Sequence, residues 1–206
     1  MKKVALLFLV FFLAGCSVVR IDTSSIDNTL KVILTKDNKL FNQVGEGYKY
    51  YLPGGVTYID SDDLNDILYS NGVYYYLYID SIDYYYNKDI NYKEKKDIYY
   101  SKRLSKSDGY KYSGYLQIED QGNNKYLIEF LYNHAKIEAI VSKDEINDTI
   151  LNASYILSTI KYNYEITKLM LEDDFFTNKT GKYNNYTSKE DSKKFILEKD
   201  TSIEEG

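Results

Sequence analysis

Three β-prone runs with very short connections constrain the fold of this chain more than any other feature. They are YSGYLQIED, KYLIEFLYN and AKIEAIV, and together they occupy residues 112–141. The first connection is QGNN at residues 121–124, and the second is a tight link at Asn133-His134. Connections of this length join antiparallel neighbours, because a parallel crossover needs a dozen residues or more. The sequence therefore predicts a β-meander.

A long helix is predicted directly after the meander. Ser142 and Glu145 have the spacing of a capping box, and Val141 and Ile146 stand where a hydrophobic staple places them. An apolar stripe then continues along one helical face for about five turns. Its members are Ile146, Ile150, Ala153, Leu157 and Ile160. The stripe predicts that this helix lies against the sheet.

Two further helical segments are predicted earlier in the chain. Residues 24–34 are amphipathic, and Ser24 is their expected N-cap. The apolar positions that share a face there are Ile26, Leu30, Ile33 and Leu34. Residues 61–68, SDDLNDIL, predict a short helical turn with Ser61 as its cap.

Turn signals separate the predicted strands of the first half. Pro53-Gly54-Gly55 marks a turn between two β-prone runs in residues 48–60, and the polar residues 87–97 predict a loop. The predicted class is therefore α+β. We expect an antiparallel meander sheet with the long C-terminal helix and a shorter N-terminal helix packed on it, an arrangement that is also compatible with an α/β/α sandwich.

The longest strand candidate is GVYYYLYIDSIDYYY, residues 72–86. Strand alternation places Val73, Tyr75, Leu77 and Ile79 on one face, and Tyr74, Tyr76 and Tyr78 on the other. A tyrosine offers a large apolar body with a polar tip, which suits the recognition of proteins or sugars. Tyr74, Tyr76 and Tyr78 are therefore a candidate recognition surface. The alternative is that they cover a partly shielded sheet, in a chain whose 25 tyrosines reflect AT-rich codons.

The N-terminus carries the only cysteine of the chain. Lys2 and Lys3 precede an apolar run of about ten residues, which is too short to cross a hydrocarbon layer but typical of a secretory signal. Leu13-Ala14-Gly15-Cys16 then resembles a bacterial lipobox, in which the cysteine thiol accepts a diacylglyceryl group before cleavage. The alternative is a buried free cysteine in an uncleaved helix.

The lipobox resemblance implies a division of the chain into four parts. Residues 1–15 would be a cleaved lipoprotein signal peptide, and residues 16–23 a tether lipidated at Cys16. A single α+β domain follows over residues 24–171, and residues 172–206 are a polar segment that we expect to be weakly ordered. The mature protein would be held by acyl chains such as palmitate on the extracytoplasmic face of a bacterial cell membrane.

The charge of the chain bears on its partners. The net charge is −5, and loss of Lys2 and Lys3 with the signal peptide changes it to −7. An acidic chain is not expected to bind nucleic acid or anionic lipid headgroups. Membrane association would therefore depend on the lipid at Cys16, and the expected partner is an envelope protein or a polysaccharide.

The sequence contains no recognisable catalytic motif. It has no G-x-S-x-G, H-E-x-x-H, P-loop or C-x-x-C, and its one histidine, His134, is predicted to be a polar turn residue. Residues 60–71 begin like a calcium loop, but Leu64 occupies a ligand position and Asn65 stands where Gly is needed. We therefore predict no metal and no cofactor, and a non-catalytic binding or adaptor role. The alternative is a hydrolase of cell-wall polymers that uses paired carboxylates.

The order of elements also resembles a known superfamily. The early YYLPGGV segment, the Tyr-rich meander and the final helix ending YILSTIKYN are similar to the PsbP-like and DcrB-like proteins. The resemblance covers roughly residues 45–165 and implies an α/β/α sandwich. Some members are bacterial envelope lipoproteins, which agrees with Cys16, but they share no active site, so the resemblance implies no catalytic residue.

The lipobox interpretation can be tested at Cys16. The Cys16→Ala variant cannot accept the diacylglyceryl group, so we expect it to accumulate as an unprocessed precursor near 24.1 kDa that takes up no labelled fatty acid. Metabolic labelling and immunoblotting measure both effects. Incorporation of label into the variant, or none into the wild type, would refute the lipobox.

Overall fold

The predicted meander is part of a seven-stranded antiparallel sheet. We describe a computed structural model in which residues 25–62, 65–90 and 92–172 are defined. Within these residues the strands are β1 (Gln43–Gly45), β2 (Tyr48–Tyr50), β3 (Thr57–Asp62), β4 (Asn65–Ser70), β5 (Val73–Ile79), β6 (Tyr100–Leu104), β7 (Gly114–Asp120), β8 (Tyr126–Tyr132), β9 (Ala135–Val141) and β10 (Lys161–Tyr162). The large sheet has the order β3-β4-β5-β9-β8-β7-β6, and a small sheet has the order β1-β2-β10.

The large sheet consists of two meanders joined side by side. Strands β3 to β5 form the first, and β6 to β9 form the second. Antiparallel pairing of β5 with β9, with Leu77 opposite Ile137, joins them. The chain therefore has to cross from β5 to the far edge of the sheet before β6 begins, and Tyr92 in this connection stacks on Tyr115 of β7 with 4.3 Å between ring centroids.

Four α-helices accompany the sheets within the described residues. They are α1 (Ile26–Leu34), α2 (Ser81–Tyr85), α3 (Ile146–Thr159) and α4 (Tyr164–Glu172). Helix α3 packs on β8 and β9, and α1 packs on α3. All five members of the predicted apolar stripe are buried in the main core beneath α3. The α+β class is thus confirmed.

The capping box at the start of the long helix is present. The Ser142 N–H donates to Glu145 Oε2 over 2.7 Å, and residues Lys143–Glu145 form a 3₁₀ turn that leads into α3. Both staple residues, Val141 and Ile146, are buried. The local sequence signal predicted this helix start because its partners lie only three to five residues apart.

Two predicted helical segments differ from the structure. Helix α1 begins at Ile26 with Ser25 as its cap, rather than Ser24, since the Ser25 hydroxyl accepts from the Asn28 N–H. The helical turn predicted over residues 61–68 is wrong: β3 and β4 form a hairpin, and β4 pairs along its length with β5. Cross-strand pairing here overrides the local capping pattern.

The predicted strand over residues 72–86 ends at Ile79. Asp80 then accepts from the Asp83 N–H at 2.8 Å and caps helix α2, so the second tyrosine cluster, Tyr84 to Tyr86, lies in and after a helix. The loop predicted over residues 87–97 contains no regular structure among its described residues.

Some predicted features lie outside the described residues. These are the signal peptide at residues 1–15, the tether at residues 16–23 with Cys16, the predicted cap Ser24, and residues 173–206 of the polar segment. Helices within the described part of the chain are too short or too polar to cross a membrane.

Asp80 makes stability depend on pH. Burial raises the pKa of this carboxyl to about 7, so the folded state holds a proton that the unfolded state has lost above the ordinary pKa of Asp. The stabilising effect of protonation is complete below that ordinary pKa and is lost as the pH rises to 7. Asp80→Asn keeps the cap acceptor without the charge. The unfolding free energy of Asp80→Asn relative to wild type should therefore rise by up to about 1.4 kcal/mol per pH unit between the ordinary pKa of Asp and pH 7.

Urea denaturation at several pH values measures this effect. The exposed Asp89→Asn variant is the matched control and should follow wild type throughout. A constant difference between Asp80→Asn and wild type over the whole pH range would show that Asp80 is ionised in the folded protein.

Candidate functional site

The predicted tyrosine surface is largely covered. Tyr74, Tyr76 and Tyr78 lie on the face of β5 opposite the main core, as alternation predicted. Tyr76, however, is only 3% exposed and packs with Ile67 of β4 in a second small core, whereas Tyr74 and Tyr78 are half-buried. The three rings therefore do not form one open aromatic surface.

Charged residues on the same face are also buried. Lys136 Nζ lies 2.6 Å from Glu138 Oε1, and each side chain is 1% exposed. The ammonium group also lies 5.0 Å from the centroid of the Tyr78 ring. Strand alternation along β9 places both charges opposite the main core, but alternation alone does not show that this second face is covered.

Tyr74 and Tyr76 nevertheless line a shallow groove of about 360 Å³ at one end of the sheet. The turn at Asn123-Asn124-Lys125 and the capping residues Ser142 and Glu145 complete its walls. The Glu145 carboxylate already accepts hydrogen bonds from the N–H and the hydroxyl of Ser142, so it serves the helix cap.

A more polar cleft lies where the small sheet meets the large one. It has a volume of about 480 Å³, and we call it the Asp66 cleft. Strands β1 and β2 and the turn between them supply Gly45, Glu46, Tyr48 and Tyr50, and strands β3 and β4 supply Tyr58, Ser61 and Asp66. The cleft is thus formed by residues that lie far apart in the sequence.

The carboxylate of Asp66 is fixed by two tyrosines. Tyr50 donates its hydroxyl to Asp66 Oδ2 over 2.8 Å, and the Tyr48 hydroxyl lies 3.1 Å from both carboxylate oxygens. Asp66 is 4% exposed, and both tyrosines are buried as well. Two buried tyrosines therefore set the position of one acidic group.

Backbone contacts hold the tyrosine-bearing strand in place. The Tyr51 N–H donates to Thr159 Oγ1 at the end of α3 over 2.9 Å. Asn42 exchanges two hydrogen bonds with the backbone of Leu52, and β10 pairs with β2 directly after α3. The cleft geometry thus depends on the end of the long helix.

Gly45 gives Tyr48 the space that it needs. The two residues face each other across β1 and β2, and a Cβ atom on Gly45 would lie 2.2 Å from Tyr48 Cζ. Any side chain at position 45 would displace the Tyr48 ring, and with it the hydroxyl that reaches Asp66.

Burial dominates the electrostatics of the cleft. Desolvation raises the pKa of Asp66, while the hydrogen bonds from Tyr50 and Tyr48 oppose that rise. Burial and the nearby Asp66 charge also raise the pKa of both tyrosines, which therefore remain neutral donors. Glu46 lies exposed at the rim, and no Lys or Arg is among the described residues that line the cleft.

The sequence predictions missed this site. The sequence pattern predicts a helical turn over residues 61–68. In the structure, Asp66 and Leu68 instead share the inward face of strand β4. Two patterns in the sequence point to the site. Asp66 and Leu68 are spaced like residues that share one face of a strand, and so are Tyr48 and Tyr50. Neither signal shows that the two strands meet.

His134 and residues 60–71 are the other candidates that the sequence offers. His134 is in the β8–β9 turn, as predicted, where its ring meets the edge of Tyr84 and burial lowers its pKa. The described residues between positions 60 and 71 belong to strands β3 and β4 and to the turn after β4. In the described part of the chain, no three His, Cys, Asp or Glu residues are grouped so that they could hold a metal ion.

Comparison with known proteins adds no assignment. No family model, curated protein or solved structure matches the chain. The function has to be argued from the geometry of the molecule.

Gly45→Ala tests the construction of the cleft. We expect the variant to lose about 1–3 kcal/mol of unfolding free energy, because the buried Tyr48 ring has to move. Chemical denaturation measures the loss. The matched control is Gly54→Ala, since a Cβ there meets no atom within 4 Å. The double variant Gly45→Ala/Tyr48→Val should lose less unfolding free energy than the sum of the two single losses, because the clash is absent without the Tyr48 ring, and a fully additive double variant would contradict the proposed clash.

Proposed function

We propose that this chain is a lipid-anchored protein of the bacterial envelope that binds a ligand without transforming it, and that the Asp66 cleft is its binding site. The anchor is Cys16, on the extracytoplasmic face of the cell membrane. The observation that carries the proposal is the Asp66 carboxylate, buried at the wall of a cleft and oriented by the hydroxyls of Tyr48 and Tyr50.

The rigidity of the cleft supports a binding role. A preformed site loses little conformational entropy when a ligand binds, so more of the contact energy appears as affinity. Here the orienting tyrosines are buried, and the strand that carries them is tied to α3 through Thr159. Such a site is ready to bind before its ligand arrives.

One observation favours the alternative, a hydrolase of cell-wall polymers. Two carboxyl groups, Asp66 and Glu46, line the same cleft, and burial raises the pKa of one of them, as in the acid of a glycosidase. However, Asp66 is only 4% exposed, and both of its carboxylate oxygens already accept hydrogen bonds from Tyr48 and Tyr50, so the group is held in the cleft wall rather than placed to deliver a proton. We therefore favour binding.

Sedimentation with isolated cell walls separates the two functions. We expect the purified full chain to cosediment with the walls of its own bacterium and to release no soluble reducing ends. Asp66→Asn should lose most of the cosedimentation, whereas the exposed Asp97→Asn control should keep it. Reducing ends released by wild type but not by Asp66→Asn would establish the hydrolase instead. Equal cosedimentation of wild type and Asp66→Asn would exclude the cleft as the binding site.

A further inference from the structure

We propose that the Asp66 cleft recognises an organic cation, an alkylammonium group that lies against the Asp66 carboxylate beside the tyrosine rings. This inference rests on the proposed function, because it names the class of ligand for the same cleft.

The first argument is the hydrogen-bonding capacity of Asp66. A carboxylate can accept about four hydrogen bonds. Tyr48 and Tyr50 supply two hydroxyl protons, and the proton of Tyr48 is shared between Oδ1 and Oδ2. Acceptor capacity therefore remains, mainly on Oδ1, and the cleft is the direction from which a further donor can arrive.

The second argument is the missing countercharge. Buried carboxylates are normally paired, and Glu138 illustrates this with Lys136 at 2.6 Å. Asp66 is buried to a similar degree, but no Lys, Arg or His of the described residues forms an ion pair with it. A cationic ligand would supply the charge that the chain itself does not.

The third argument is the chemistry of the walls. Tyrosine faces attract ammonium groups, and Tyr58, which is 40% exposed, stands at the cleft with Tyr48 and Tyr50. Glu46 at the rim adds a second negative charge. Aromatic rings with few carboxylates suit an organic cation, whereas a metal ion needs a full set of oxygen ligands.

Calorimetry with small probes tests the inference. The probes are choline and its neutral isostere 3,3-dimethylbutan-1-ol, titrated into the purified full chain. We expect choline to bind at least roughly tenfold more tightly than the isostere, because only choline carries the charge. Asp66→Asn should lose choline binding by a similar factor, and the exposed Asp97→Asn control should retain it.

Each other result has a definite meaning. Equal affinity for choline and the isostere, or no binding of either, would overturn the inference. So would calcium chloride binding that excludes choline. The probe comparison uses wild-type protein, so it remains decisive if Asp66→Asn does not fold. Cell-wall cosedimentation that depends on Asp66 but occurs without choline binding would reject the cation while preserving the proposed binding function.

Discussion

The hydrogen bonds between one buried carboxylate and two tyrosine hydroxyls join the two sheets of this protein. Asp66 belongs to β4 of the large sheet, and Tyr48 and Tyr50 belong to β2 of the small one. Burying a carboxylate is unfavourable unless hydrogen bonds replace its lost water, so the strands must meet in one orientation. That requirement fixes the position of β2. It also explains Gly45, because only glycine leaves room for the Tyr48 ring on the neighbouring strand.

Three buried carboxyl groups in the described residues are accommodated in three different ways. Glu138 has an ion-pair partner in Lys136, and Asp80 caps a helix and, with its raised pKa, holds a proton near neutral pH. Asp66 forms no ion pair with a described Lys, Arg or His; its recorded partners are the hydroxyls of Tyr48 and Tyr50, and it adjoins the cleft. Asp66 is thus oriented by the chain without an ion-pair partner among the described residues. This difference is the reason why we propose a ligand site at Asp66 and not at Glu138 or Asp80.

The sequence predicted the features that depend on neighbours along the chain. The capping box at Ser142 and Glu145 and the short link at Asn133-His134 each involve a few adjacent residues, and both are present. The predictions failed where a distant strand decided the outcome. The residues around Asp66 predict a helical turn because they do not reveal that Asp66 pairs with Leu77 on β5. Tyr76 was expected at a surface because alternation gives the face of a residue but not what covers that face.

The Asp66 cleft lies between the large sheet and the short β1–β2 hairpin. Strands of the large sheet, which share the main core with α3, line one part of the cleft. The short β1–β2 hairpin, which carries the exposed Glu46, lines the other part. The hydrogen bond from the Tyr51 N–H to Thr159 Oγ1 holds the residue after Tyr50 at the end of α3, so the core helps to position the tyrosines. The chain has no second cysteine with which to form a disulfide, so this order has to come from packing and hydrogen bonds. In the proposed site, a ligand would therefore meet a carboxylate that is already held in place.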